Sequence, residues 1–142
     1  MTIFIDSSAF YALCDQTDSN HRSAIDFRSR LFSSREEMVS SNYVLNQTLE
    51  RVSRRLGRNA ARAFGEFSRK TGTIRFVRVD STVEEDAWKI YNRFSGKSFS
   101  FADCTSFVIM NSLGIRRVFT FDRHFAEFGF EKLPETAGEK NG

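Results

Sequence analysis

The feature that most constrains this chain is an alternation. Short apolar runs are separated by longer segments of helical spacing from the first residues to about residue 133. "TIFIDSS" reads as a buried strand ending in Asp6, with "SAFYALCD" as a short helix behind it. A second helix over "HRSAIDFRSRLF" has Asp18, Ser19 or Asn20 available as its cap, and "EMVSS" is a second strand. "NYVLNQTLERVSRRL" places Tyr43, Val44, Leu45, Leu49, Val52 and Leu56 in a helical pattern closed by Gly57. "NAARAFGEFSRK" continues as a further helix stopped at Gly72, and "TIRFVRVD" is a third strand. "STVEEDAWKIYNRF" is a well-capped helix, and "SFSFADCTSFVIM" opens another that ends near Gly114. "RRVFTFD" is a fourth strand ending in Asp122, and "HFAEFGF" leads to a brief fifth. Strands alternating with helices predict an α/β fold around a mainly parallel sheet.

A chain of 142 residues suits one domain, expected over residues 1–133, with "PETAGEKNG" at 134–142 as a frayed tail. No run of 18 apolar residues is present to span a membrane. The N-terminus lacks the basic lead and long apolar run of a secretory signal, so a cytoplasmic protein is expected. The net charge of +3 and pI near 9.1 permit a polyanionic partner without demanding one. Cys14 and Cys104 lie far apart with no C-x-x-C, and His21 and His124 are the only histidines, so a zinc site is not expected. Two buried thiols are expected instead. Trp88 is assigned to the core, and Phe64 and Phe67 to a core or dimer contact.

Asp103 is the acid that needs explaining, because it sits in an otherwise apolar helical run. One answer is local: Ser100 and Asp103 have the spacing of a capping box. Asp6 and Asp122 also have ordinary readings, as a strand-end turn residue and a cap. A parallel sheet adds a second answer, because its ligands bind outside the carboxyl ends of the strands. Asp6 and Asp122 follow strand ends, and the helix carrying Asp103 could open at the same edge. Three carboxylates gathered there repel one another unless a cation joins them, and hard oxygen ligands suit Mg²⁺ or Mn²⁺. The two answers are compatible, since one carboxylate oxygen can cap while the other binds metal.

"FIDSSAFYAL", "SSNYVLNQTLERV", "SFSFADCTSF" and "VFTFDRHFAEFGF", taken in order, resemble the PIN-domain family, in particular the VapC-type toxins of toxin–antitoxin pairs. The likeness runs from about residue 2 to residue 133. It implies a three-layer α/β/α sandwich with about five strands, and a Mg²⁺- or Mn²⁺-dependent ribonuclease that dimerises and is restrained by a cognate antitoxin. By the same resemblance Asp6, Asp103 and Asp122 are the metal-binding and catalytic acids, with Thr120 a hydroxyl beside them. Asp6 and Asp103 are expected as direct ligands, and Asp122 as a ligand or as the group orienting a metal-bound water.

One position departs from the family. An acid usually follows the second strand in a pattern like "SNYVL-x-E", and here that position is Gln47. Glu50, three residues on, is a candidate substitute, although it is also spaced to pair with Arg54. Arg51, Arg54, Arg55, Arg58 and Arg62 form the densest basic run, read either as RNA phosphate contacts or as a solvated helical face. Two alternatives stand beside the nuclease. One is a non-catalytic PIN-like module that binds RNA or antitoxin, weakened by Gln47. The other is a receiver-like regulatory domain, disfavoured because Asp6 has no acidic neighbour in the chain.

Overall fold

In a computed structural model, which describes residues 1–135, five strands form one sheet in the order β3-β2-β1-β4-β5, every neighbouring pair parallel. The strands are β1 Thr2–Ile5, β2 Glu37–Ser41, β3 Ile74–Val77, β4 Arg117–Phe119 and β5 Glu131–Leu133. The helices are α1 Ser7–Cys14, α2 His21–Ser33, α3 Asn42–Leu56, α4 Arg58–Lys70, α5 Ser81–Arg93, α6 Phe101–Leu113 and α7 His124–Phe128. Of the expected tail, Pro134 and Glu135 are described and residues 136–142 lie outside the described residues.

Successive side chains of a strand point to opposite faces. Ile3, Phe4 and Ile5 are all buried, so the centre of the sheet is covered on both sides. This is why its strands read as unbroken apolar runs rather than alternating ones. The chain passes from β1 to β2 and β3 on one side, then crosses to place β4 against the free edge of β1. The carboxyl ends of β1 and β4 therefore lie side by side where the strand order reverses, which is where such sheets form a crevice.

Helix caps bring further residues to that edge. Asp6 directly follows β1 and caps α1, accepting from the Ser8 amide, while Ser41 ends β2 and caps α3, accepting from the Val44 amide. Gly57, at φ +99°, adopts a conformation that favours glycine, and there α3 stops and α4 begins. α6 precedes β4 and opens at the same edge, with the Ser100–Asp103 capping box formed as the spacing requires.

Two expectations need correction, for Trp88 and for Cys14. Trp88 is exposed, because α5 turns Val83, Ala87, Ile90 and Phe94 inward and position 88 lies off that face; its ring stacks on Tyr91 at 5.7 Å. Phe64 is in the core as expected, and Phe67 packs beside its ring at 6.3 Å while 47% exposed, which is compatible with either half of the core-or-dimer expectation. Cys104 is buried and Cys14 half-buried; both thiols are free, and burial pushes each up to about 11. Among the described residues no helix is long and apolar enough to cross a membrane.

Candidate active site

Asp6 lies in the floor of the β1–β4 crevice, 3% exposed. Its amide donates to Phe119 O at 3.0 Å, continuing the β1–β4 pairing one residue past the strand. Two hydroxyls, Thr120 Oγ1 at 2.8 Å and Ser8 Oγ at 3.0 Å, reach the same carboxylate oxygen, Oδ2. Each hydroxyl also accepts a backbone amide from the loop after β4, Phe121 N at 2.9 Å for Ser8 and Asp122 N at 3.0 Å for Thr120. The loop that carries Asp122 is thereby tied to Asp6. Thr120, fully buried, is part of the support of the site.

Asp103 enters from α6, 7% exposed. Its Oδ2 accepts the Ser100 amide at 3.0 Å, the reciprocal half of the capping box. Asp122, in the loop between β4 and α7, accepts the His124 amide on Oδ1 at 2.9 Å. The His124 ring falls between these two acids, with Nδ1 2.9 Å from Asp103 Oδ2 and 3.2 Å from Asp122 Oδ1. Phenylalanines set its place. Phe99 meets the imidazole edge-to-face at 5.6 Å, and Phe107 of α6 packs on both Phe125 and Phe128 of α7.

The electrostatics follow from burial. Asp6 is pushed from its ordinary 3.8 up to about 6, first by loss of water and then by the Asp103 charge. Hydrogen bonds from Thr120, the Ser7 amide and Ser8 pull it partly back. The Asp103 carboxyl is also raised, chiefly by burial and further by the Asp122 charge, against the Ser100 amide and His124. No Lys or Arg pairs with Asp6, Asp103 or Asp122 among the described residues. Asp6 has no basic partner and Asp103 has only the His124 imidazole, so both buried carboxylates are costly in their charged form.

A cleft of about 340 Å³ opens above them, and Gln47, Glu50, Arg51 and Arg54 of α3 share its walls with Asp103, Asp122 and His124. Gln47 is half-buried and neutral. Glu50 is exposed on the same wall, and the expected pair with Arg54 does not form: among the described residues Glu50 makes no ion pair. Arg51 is turned instead over the Tyr11 ring, 4.4 Å from its centre, with Arg55 at 5.4 Å.

The donor set fits a divalent cation. Ligand atoms of Asp103, Asp122 and His124 lie within 4.8 Å of one another, and Asp6 sits deeper, coupled to Asp103 by charge. Sequence reasoning singled out Asp6, Asp103, Asp122 and Thr120, and the structure brings them together. It missed His124, dismissed because two histidines are too few for a zinc site. The available signal was the Asp122-x-His124 spacing directly after a strand.

A family model described as PIN domain matches residues 3–131. The 23S rRNA-specific endonuclease VapC20 of two Mycobacterium tuberculosis strains is 36% identical over 135 residues, covering 94% of this chain and 99% of the relative. A crystal structure of the M. tuberculosis VapC20, titled a Sarcin-Ricin loop cleaving toxin, superposes with a TM-score of 0.81 at 34% identity, covering 90% of this chain and 95% of that one.

Proposed function

Since this chain belongs to the PIN-domain family, of the VapC type, we propose that it is a metal-dependent endoribonuclease of toxin type. The PIN-domain match over residues 3–131 replaces the receiver-like alternative. The observation that carries the proposal is the gathering of Asp6, Asp103 and Asp122 at one sheet edge with no Lys or Arg to neutralise them. A bound cation supplies the positive charge that buried Asp6 and Asp103 and half-buried Asp122 lack. Mg²⁺ or Mn²⁺ suits the oxygen donors, with Asp6, Asp103 and Asp122 as the residues that hold it.

When bound, such a cation neutralises charge developing on the scissile phosphate and lowers the pKa of an attacking water. The chain's own residues do the rest. Thr120 and Ser8 hold the Asp6 carboxylate, and the capping box fixes Asp103 in the first turn of α6. Arg54, exposed on the cleft wall and without an ion pair among the described residues, is placed to meet an RNA phosphate.

The reading extends to a homodimer that works in the cytoplasm and is restrained by a cognate antitoxin. VapC20 is named for 23S rRNA, so ribosomal RNA is the first substrate to offer. Gln47 favours a second reading, a PIN-like module that binds RNA or antitoxin without cutting, because the α3 wall brings no carboxylate at that position. Incubation of the purified protein with 23S rRNA separates the two. Cleavage with Mn²⁺ or Mg²⁺ that stops on chelation supports the nuclease; binding without cleavage in either metal supports the module.

A further inference from the structure

We infer that His124 is a nitrogen ligand of the cation, and that it biases the site towards Mn²⁺ over Mg²⁺. The inference rests on the metal-dependent reading above and adds to it a donor atom and a metal preference.

The geometry at Nδ1 is the starting point. It lies 2.9 Å from Asp103 Oδ2 and 3.2 Å from Asp122 Oδ1. Adjacent ligands of an octahedral ion with bonds of about 2.1 Å stand about 3.0 Å apart, so one nitrogen and two oxygens already have the mutual spacing of three neighbouring ligands. The far side of the ring is also provided for. Nε2 lies 3.2 Å from Ser98 Oγ, and a hydroxyl there can accept Nε2–H. In that tautomer Nδ1 presents its lone pair to the point faced by both carboxylates. Metal-bound histidines are commonly held this way, by a partner on the second ring nitrogen.

The ring has little freedom to leave. The His124 amide is bonded to Asp122 Oδ1, Phe99 packs against the imidazole, and the side chain is 19% exposed. The consequence for metal choice is chemical. An all-oxygen site suits Mg²⁺, whereas an imidazole among carboxylates favours transition metals, and Mn²⁺ accepts both donor types.

The test is pulsed electron paramagnetic resonance of Mn²⁺ added to the full-length protein. Modulation from a directly bound ¹⁴N nucleus is expected in the native chain and should vanish in His124→Gln. In parallel, titration should show Mn²⁺ preferred over Mg²⁺, with that preference falling by about tenfold or more in His124→Gln, since even outer partners of metal ligands contribute 10–100-fold. Bound Mn²⁺ that is lost in Asp103→Asn yet shows no ¹⁴N modulation in the native protein would overturn the role of His124 and leave the metal-dependent reading standing. No Mn²⁺ bound at all would overturn both. The decisive spectrum is taken on the unmutated chain, so misfolding of the variant cannot obscure it.

Discussion

Two concave surfaces flank α3, and they are built on opposite principles. On one side the helix faces Asp103, Asp122 and His124, with Asp6 beneath them. On the other it meets α4 in a groove lined by Arg58, Arg62 and Arg69, with Glu50 and Glu66 also on its walls. On the acidic side Asp6 and Asp103 are buried, Asp122 is half-buried, and each aspartate is held by an amide or hydroxyl. The basic side is exposed, and none of its three arginines forms an ion pair among the described residues. Burial makes charge expensive and therefore demanding of one specific counter-ion. Exposure leaves charge cheap, long-ranged and sensitive to salt. The first surface suits a cation at a defined point; the second suits a polyanion met anywhere along a track.

The largest effect should come from neutralising one acid on the buried side. Asp103→Asn keeps an acceptor for the Ser100 amide but removes a ligand charge, so RNA cleavage should fall roughly 1,000-fold, about 4 kcal/mol at 1.36 kcal/mol per decade. Single-turnover rates at saturating Mn²⁺ measure it. A fall of less than a few-fold would break the contrast, since the buried side would then behave like the exposed one.

Next is the folding cost of Asp6. Its carboxyl is at about 6 in the folded chain against an ordinary 3.8, so the folded state binds the proton more tightly. The Asp6 contribution to metal-free stability should thus be highest below about pH 4 and decline as pH rises through 6. Asp6→Asn lacks this penalty. It should be more stable than the native chain by up to about 3 kcal/mol at pH 7.5 without metal, and the two should converge near pH 4. Urea unfolding with a chelator present would show it, and a native chain that gains stability relative to Asp6→Asn as pH rises would reverse the sign.

Gln47→Glu sharpens the comparison by adding charge to the acidic wall. A carboxylate about 5 Å from a divalent ion contributes about 2 kcal/mol in water's dielectric, roughly thirtyfold in affinity. Calorimetric Mn²⁺ titration should detect that gain along with faster cleavage, and Glu50→Gln should do less in the other direction. The reverse ranking would make Glu50 the working acid of α3. The smallest effects belong to the basic groove: Arg62→Gln and Arg69→Gln should each raise KM for RNA a few-fold, leave kcat alone and flatten the salt dependence by about one unit of slope.

The contrast between the two surfaces also explains what could be read from sequence. The strand–helix alternation gave the parallel sheet, because buried strands and amphipathic helices carry different periods. Asp6, Asp103 and Asp122 were visible because strand ends and caps are local signals, and a parallel sheet sends such ends to one edge. His124 was not visible, because its meaning comes from packing of α7 against α6 through Phe107, a contact between distant segments. Trp88 was misplaced for a related reason: an aromatic on a helix does not announce which side of the helix it lies on. Glu50 and Arg54 have pairing geometry by spacing, yet Arg54 is on the cleft wall and the pair is not made. Charge patterning predicts which pairs are possible and leaves the choice to the fold.

The most direct test of the central claim, that the buried acids hold a divalent cation, is an anomalous-difference map from crystals soaked in Mn²⁺. The account predicts a single strong peak in the β1–β4 crevice within ligand distance of Asp103 and Asp122, with Asp6 bound directly or through water, and its loss in Asp103→Asn. Crystals soaked to saturation with no peak at those carboxylates, or an undiminished peak in Asp103→Asn, would contradict it.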